Sequence, residues 1–244
     1  MRPLDEAPAP VGRADTLPVA ETFVSVQGEG GLAGVPSWFV RLSGCNLRCA
    51  WCDTPYASWA PEGTWRTVEE LIAEARAAAP VRHAVVTGGE PFIFPRLSDL
   101  VGGLRAAGVH VTIETAGTAD RDVRADLISV SPKLANSTPP ASAGPWRDRH
   151  EARRSNPEAL RAVLGRGAAR QLKFVVTGPD DLPEIDRVLS HLEAVRPDEI
   201  FLMPEGVTAP PPPLRQWCLE TCLARGWRYG HRLHIELFGN RRGT

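Results

Sequence analysis

Residues 37–56 read SWFVRLSGCNLRCAWCDTPY and contain three of the five cysteines of this 244-residue chain, Cys45, Cys49 and Cys52. The run 37–42 is rich in residues that favour strands, so it predicts a strand that leads directly into the cysteines. Thiolates spaced C-x-x-x-C-x-x-C can face one metal centre, and they favour zinc or iron–sulfur clusters. The stretch therefore predicts a metal site at the end of a strand.

Short strand-like runs alternate with amphipathic segments along the rest of the chain. This alternation is typical of parallel βαβ units, so we expect an α/β fold, a partial or modified (βα) barrel with one long inserted loop. The predicted strands are 37–42, 83–87, 110–114, 127–130, 172–177, 200–203 and 233–238, and the predicted helices are 67–78, 96–107, 156–164, 182–192 and 213–225.

The chain is expected to form a single domain over residues 19–244. Residues 1–18 contain four prolines and no apolar periodicity, so they are interpreted as a flexible lead-in. The inserted loop is 135–155, which contains three prolines and four arginines. Long loops in compact domains tend to be functional or mobile. A role at the site and a solvated surface excursion both stay open for this loop.

Composition excludes several classes of protein. The formal net charge is −1, which gives no sign of a surface for nucleic acid. The apolar runs are too short to cross a bilayer, and the N-terminus lacks the order of a secretion signal. We therefore expect a cytoplasmic protein that binds neither nucleic acid nor membrane. Five cysteines in such a chain favour a metal or redox role over disulfides.

The cysteine loop supplies three ligands, whereas a closed structural zinc site normally has four. The next histidine is His83 and the next cysteine is Cys218. A four-iron cluster held by three cysteines keeps one iron open for a small molecule. A zinc site completed by a distant residue and a chance cluster of buried cysteines remain the alternatives. Cys218 and Cys222 lie four residues apart on a predicted helix, and we interpret them as small core residues without a ligand role.

Two motifs together resemble the radical S-adenosylmethionine superfamily: the cysteine loop with Trp51 before its last cysteine, and Gly88-Gly89-Glu90-Pro91 after a predicted strand. The resemblance implies a 4Fe–4S cluster on Cys45, Cys49 and Cys52. It also implies S-adenosylmethionine (SAM) on the open iron, release of a 5′-deoxyadenosyl radical, and a flavodoxin- or ferredoxin-type reductant.

Further motifs narrow the resemblance. They are ETFVSVQGEG at 21–30, DTPY at 53–56, SPK at 131–133, LKFV at 172–175, LHI at 233–235 and the residues 239–243. In this order they resemble the 7-carboxy-7-deazaguanine synthase family, whose members are homodimeric lyases of queuosine-type 7-deazapurine biosynthesis. The resemblance implies that 6-carboxy-5,6,7,8-tetrahydropterin loses ammonia and becomes 7-carboxy-7-deazaguanine, with Mg²⁺ as a further cofactor.

The same resemblance implies roles for individual residues, with no catalytic side chain beyond the cluster and the cofactor. Thr54 would bind Mg²⁺, Arg41 would bind the pterin carboxylate, and Glu90 would accept from the ammonium of SAM. The expected SAM-binding set is Trp51, Cys52, Asp53, Gly88, Gly89, Glu90, Ser131, Pro132, Lys133, Lys173 and Phe174. The expected substrate-binding set is Val26, Gln27, Gly28, Glu29, Arg41, Thr87 and His234.

Two other functions stay open. Another radical SAM enzyme, such as an activase that makes a glycyl radical on a protein, would need a protein-docking groove and no small-molecule ligands at Gln27, Arg41 and Thr54. A non-catalytic zinc-binding interaction module would be colourless and would hold about one zinc per chain.

Overall fold

The structure is a computed structural model that describes residues 15–244. Nine strands lie within that range: β1 (Thr16–Val26), β2 (Pro36–Leu42), β3 (Thr64–Thr67), β4 (His83–Gly88), β5 (His110–Thr115), β6 (Ala125–Val130), β7 (Gly167–Val176), β8 (Ile200–Pro204) and β9 (Arg228–Tyr229). They form one sheet in the order β3-β1-β2-β4-β5-β6-β7-β8-β9. Pairing is parallel from β2 through β4 to β9, whereas β1 and β3 extend the β2 end in antiparallel fashion. The predicted parallel α/β fold is confirmed, and its sheet stays open between β3 and β9.

Seven α-helices accompany these strands: α1 (Val68–Ala77), α2 (Leu97–Ala106), α3 (Pro145–Arg154), α4 (Pro157–Leu164), α5 (Leu182–Ser190), α6 (Pro212–Arg225) and α7 (Leu233–Phe238). The predicted caps are present. Thr67 and Glu70 form a capping box at α1, and the Asn156 side chain caps α4. Gly226 ends α6 with a left-handed backbone, φ 69°. No helix within residues 15–244 is long and apolar enough to cross a membrane.

The strand registers arrange side chains in alternating rows across the sheet. Val40, Val86, Ile113 and Ile128 form one row by their pairings, and all four are fully buried in the core that also contains Leu100 of α2. Successive side chains of a strand point to opposite faces. The next row therefore faces away from this core, and it is polar: Glu21, Arg41, Thr87, Glu114, Ser129 and Gln171.

Two expectations from the sequence need correction. Leu233–Phe238 is helix α7 and not a strand, because a short apolar run does not distinguish the two structures. Strand β1 begins at Thr16 and buries Leu17, so 16–18 belong to the sheet and not to a lead-in. Residues 1–14 of that predicted lead-in lie outside the described residues. The inserted loop contains helix α3.

Replacement of Leu17 by alanine tests the position of β1 in the core. Leu17 is 1% exposed, so the free energy of unfolding should fall by about 3 kcal/mol. Val24→Ala on the same strand is the control, since Val24 is 53% exposed and should change that free energy by at most about 0.5 kcal/mol. Urea titration followed by circular dichroism measures both, and equal effects would contradict the burial of residue 17.

Candidate active site

A cavity of about 490 Å³ lies at the carboxyl ends of the parallel strands. Side chains from many strand ends converge at this edge of a parallel sheet, which is why such edges carry active sites. The structure brings most of the residues singled out in the sequence to this cavity. They are Val26, Gln27, Gly28, Glu29, Arg41, Trp51, Asp53, Thr54, Thr87, Gly88, Gly89, Ser131, Lys133, Lys173 and His234.

Four members of the predicted SAM-binding set do not line the cavity: Cys52, Glu90, Pro132 and Phe174. Phe174 is fully buried, because strand alternation turns it into the core while Lys173 and Val175 face the cavity. Phe174 can therefore contribute only its backbone to a SAM site, and that contact stays a prediction. Pro132 lines a separate small cavity of about 60 Å³.

Glu90 is another of these four residues. Its carboxylate is fully buried and accepts hydrogen bonds from Thr115 Oγ1 at 2.7 Å, from Ala116 N at 2.8 Å and from Phe92 N at 3.0 Å. Burial raises the pKa of Glu90, and these hydrogen bonds oppose that rise. The Glu90 carboxylate does not line the cavity and holds the turn after β5, so its contact with the ammonium of SAM stays a prediction.

Lys173, Glu29 and Glu114 form a largely buried charged row in the wall of the cavity. Lys173 Nζ lies 2.7 Å from Glu29 Oε2 and 3.1 Å from Glu114 Oε1. Burial would lower the pKa of Lys173, but Glu114 and Glu29 outweigh it and raise that pKa. Burial would raise the pKa of Glu29, but Lys173 and Arg232 hold it well below its usual range. Lys173 and Glu29 are therefore charged at neutral pH.

The C-terminal segment returns from β9 to the opposite side of the open sheet. Leu233 N donates to Gly28 O at 2.9 Å. Arg232 Nε lies 3.1 Å from Glu29 Oε1, and its Nη atoms pair with Asp53 Oδ2 and with a backbone carbonyl after β8. This segment thus links three loops that the sheet itself leaves apart. His234 follows on α7, and its imidazole lies where a Cβ on Gly28 would fall, 1.9 Å from Nδ1.

Cys45, Cys49 and Cys52 follow β2 on one loop. Burial raises the pKa of the Cys49 thiol to about 11, and it also raises that of Cys45. Iron would stabilise the thiolates, so cluster assembly on this loop releases protons. No set of three His, Cys, Asp or Glu side chains within residues 15–244 converges on a single ion. A four-iron cluster does not need such convergence, because each thiolate binds a different iron.

The inserted segment packs against the cysteine loop. His150 of α3 is fully buried, and its Nδ1 accepts from Arg48 N at 3.2 Å. Its Nε2 therefore carries the proton and donates to Ser137 Oγ at 3.0 Å. The Arg48 guanidinium lies 3.9 Å from the centre of the Trp146 ring of α3. Both nitrogens of His150 are engaged, so it does not supply a fourth ligand to the cysteines, and a structural role for the insertion is favoured over a surface excursion.

The glycine turn after β4 holds the cysteine loop from the other side. Gly89 N donates to Leu42 O, and Glu90 N donates to Gly44 O, both at 3.0 Å. A Cβ on Gly89 would lie 2.0 Å from Gly44 O, and one on Gly88 would lie 2.1 Å from Leu42 O. The two glycines are therefore required by the close approach of two backbones.

The remaining predicted cofactor ligands surround the cysteine loop. Trp51 Nε1 donates to Asn136 O at 3.1 Å, and the Lys133 ammonium lies 5.3 Å from the Trp51 ring. Lys133 also donates to Ser131 Oγ at 2.8 Å. The Thr54 hydroxyl faces the same cavity and lies 3.8 Å from Cys52 Sγ. A half-buried cation, a hydroxyl and a ring therefore border the cysteines.

Several site residues were not predicted from the sequence. Glu114 and Arg232 lie among unremarkable neighbours, and Tyr56 and Glu21 belong to quoted motifs without an assigned role. The end of a predicted strand at Glu114 was the one available signal, since strand ends carry site residues in this fold class. Cys218 and Cys222, 0% and 4% exposed, are core residues as predicted.

A family model of the radical SAM superfamily matches residues 39–136, which contain the cysteine loop, the glycine turn and Trp51. The open parallel sheet with this loop at the end of its first parallel strand defines the class: the protein is a radical SAM enzyme.

Curated proteins narrow the class. The chain is 48% identical to a 7-carboxy-7-deazaguanine synthase of Rhodopirellula baltica, over 94% of this chain and 89% of the relative. It is 43% identical to one of Halobacterium salinarum, over 94% and 93%. The crystal structure of QueE from Escherichia coli superposes with a TM-score of 0.69 at 30% identity, over 90% of this chain and 95% of that one. The chain belongs to the 7-carboxy-7-deazaguanine synthase family.

Replacement of Gly89 by alanine tests the contact between the glycine turn and the cysteine loop. The added methyl group would displace Gly44 O, so the reconstituted variant should bind less than about half of the iron of the wild type. Gly102→Ala is the control, because no atom lies within 4 Å of the added carbon on α2, where alanine stabilises a helix by about 0.5–1 kcal/mol. Iron analysis and visible absorbance after anaerobic reconstitution measure the effect, and normal iron in Gly89→Ala would contradict it.

Proposed function

We propose that this cavity binds 6-carboxy-5,6,7,8-tetrahydropterin beside SAM and converts the pterin to 7-carboxy-7-deazaguanine with loss of ammonia, as a step of queuosine-type 7-deazapurine biosynthesis. Membership of the family supports this reaction. The observation that carries the proposal is the distribution of charge in the cavity, which has an arginine fork at one end and a buried row of carboxylates and an ammonium at the other.

Arg41 supplies the cationic end. Its Nε donates to Glu21 Oε1 at 2.7 Å, and neither Nη atom has a hydrogen-bond partner within residues 15–244. Arg41 lines the cavity, so the two Nη donors are available to a ligand there. A pair of guanidinium N–H groups fits a carboxylate in bidentate fashion. These contacts suit the carboxylate on C6 of the pterin.

The charged row suits the other end of the same substrate. A pterin presents an amino group and a ring N–H as donors, and a carbonyl oxygen as an acceptor. Glu29 and Glu114 offer carboxylate acceptors, and Lys173 is a donor. Thr87 and Gln27 donate to Glu114 at 3.0 and 3.4 Å, which fixes that carboxylate before substrate arrives. Because these side chains are already oriented, they lose little conformational freedom when a planar ring binds.

The cofactors fit the side chains and glycines that surround the proposed pterin site. Cys45, Cys49 and Cys52 would hold a 4Fe–4S cluster, as three thiols without a fourth ligand suit a cluster with one open iron. Gly88, Gly89, Ser131 and Lys133 would line the SAM site. When bound, the cluster and SAM supply one-electron chemistry that removes a hydrogen atom from the substrate. The chain itself places the pterin carbon and keeps water out.

The Thr54 hydroxyl is the proposed protein ligand of Mg²⁺. It is a hard oxygen donor on the cavity wall, and Mg²⁺ commonly keeps water and substrate oxygens as its other ligands. The neighbouring carboxylate of Asp53 is paired with Arg232, so it is not free to bind the ion. The substrate carboxylate would then lie between Mg²⁺ and the guanidinium of Arg41.

The setting of the enzyme is proposed from the family resemblance. We expect a homodimer in the cytoplasm that receives its electron from a flavodoxin- or ferredoxin-type protein.

The decisive experiment incubates the reconstituted, reduced protein with the carboxytetrahydropterin, SAM and Mg²⁺ under anaerobic conditions. We expect 7-carboxy-7-deazaguanine and ammonia, measured by mass spectrometry and an ammonia assay, and a lower rate when Mg²⁺ is left out. Formation of 5′-deoxyadenosine without the deazaguanine would indicate another radical SAM reaction. A colourless protein with about one zinc per chain would overturn the enzymatic proposal as a whole.

Replacement of Arg41 by alanine tests the cationic end of the cavity. The KM for the carboxytetrahydropterin should rise by about 100-fold, since two hydrogen bonds to a charged group are lost. Cleavage of SAM without substrate should stay within about twofold of the wild type, because Arg41 is not among the residues proposed to line the SAM site. Arg105→Ala, a surface arginine of α2 paired with Asp126, is the control for loss of a charge. Parallel loss of substrate turnover and uncoupled cleavage would contradict the role of Arg41.

A further inference from the structure

Glu21 is a buried carboxylate beside the cavity with no role in the preceding proposal. It lies in β1 directly opposite Arg41 of β2 in the antiparallel register. A bulge between Val19 and Glu21 comes immediately before this pair, and bulges often redirect side chains beside active sites. The side chains of Glu21 and Arg41 are 11% and 16% exposed. The pair is thus largely withdrawn from solvent at the edge of the polar row.

Glu21 engages one edge of the Arg41 guanidinium and leaves the other free. Nε donates to Oε1 at 2.7 Å, while the Nη atoms have no hydrogen-bond partner in the described part of the chain. The guanidinium is planar and rigid, so a fixed Nε also fixes the direction of both Nη donors. Phe23 restricts the group further, since its ring centre lies 5.9 Å from Arg41 Cζ.

Two other side chains hold Glu21 itself. Tyr56 Oη donates to Oε1 at 2.7 Å, and Arg242 Nε donates to Oε2 at 3.4 Å. Arg242 also stacks on Tyr56, with its Cζ 4.1 Å from the ring centre. Burial opposes ionisation of Glu21, but the hydrogen bonds from Tyr56 and Arg41 lower its pKa. Both carboxylate oxygens are therefore engaged before any ligand binds.

We propose that Glu21 is a positioning residue that aims the free Nη donors of Arg41 at the carboxylate of the substrate. The inference rests on the proposed role of Arg41 and extends it to a residue that does not touch the substrate. Arg41 and Arg242 share this one carboxylate, so Glu21 orients the fork without cancelling the positive charge that attracts an anion. Tyr56 fixes Glu21 in turn.

A purely structural role for Glu21 makes a different prediction. If the carboxylate only balanced buried cations, its loss would weaken the fold and the binding of every ligand to a similar extent. If it aims Arg41, its loss acts on the substrate carboxylate alone and only while Arg41 is present. The coupling between the two residues therefore separates the two roles.

The experiment measures KM and kcat for Glu21→Ala, Glu21→Gln, Arg41→Ala and the double variant of both residues with alanine. Binding of a tetrahydropterin without the carboxylate is measured in parallel as competitive inhibition. We expect Glu21→Ala to raise KM by about tenfold to a hundredfold, with kcat and inhibitor affinity within about threefold of the wild type. Glu21→Gln should recover part of the loss, because its amide oxygen still accepts from Nε. In the Arg41→Ala background, Glu21→Ala should add nothing to KM.

Glu62→Ala is the matched control, since Glu62 also pairs with Arg242, at 2.9 Å, yet has no hydrogen bond or ion pair with Arg41 among residues 15–244. Its KM should equal that of the wild type. Iron content and uncoupled SAM cleavage verify that each variant is folded, and Glu21→Gln carries the test if Glu21→Ala does not load iron. Additive effects of Glu21→Ala and Arg41→Ala, or an equal loss for the inhibitor, overturn the role of Glu21. An unchanged KM in Arg41→Ala overturns the role of Arg41 and the inference with it.

Discussion

The register of the sheet is the constraint on which the site depends. Parallel pairing of β2 with β4 places Arg41 opposite Thr87 and Leu42 opposite Gly88. The polar row therefore crosses the sheet as one line, and the cysteine loop and the glycine turn leave the sheet side by side. A shift of one residue would exchange the polar row with the apolar row of Val40 and Val86, which would bury charges in the core. Core packing and site geometry are thus fixed by the same pairing.

An open sheet leaves the two ends of the site unconnected, and the C-terminal segment connects them. Arg232 contacts Glu29, Asp53 and a carbonyl after β8, and Leu233 adds a backbone hydrogen bond to Gly28. In a closed barrel, hydrogen bonds between the first and last strands would do this. Here Arg232 connects the two ends of the site instead, since the five N–H donors of an arginine can bind several acceptors at once. The cavity wall beside Lys173, Glu29 and Glu114 is therefore held together by ion pairs.

Buried charges are costly unless each is paired and hydrogen-bonded, so the charged row indicates a function beyond stability. Lys173 lies between two carboxylates, and Glu29 in turn lies between Lys173 and Arg232. The same rule explains Glu90, whose three hydrogen bonds satisfy a carboxylate that never reaches the cavity. A polar residue in a motif can therefore hold a turn beside the site.

The sequence by itself determined the alternation of strands and helices, the caps at Thr67 and Asn156, and the metal-binding character of the cysteine loop. These features are local, since they depend on periodicity, hydrogen bonds within one turn and ligand spacing within eight residues. It also pointed to many of the cavity residues, through the resemblance of its motifs to a known family. The helix at Leu233–Phe238, the inward turn of Glu90 and the packing of His150 against Arg48 were decided by tertiary structure. Each depends on contacts between residues far apart in the chain. The pairing of Glu21 with Arg41 and the contacts of Arg232 depend on such contacts too. No local pattern in the sequence encodes which distant partner a charged side chain will find.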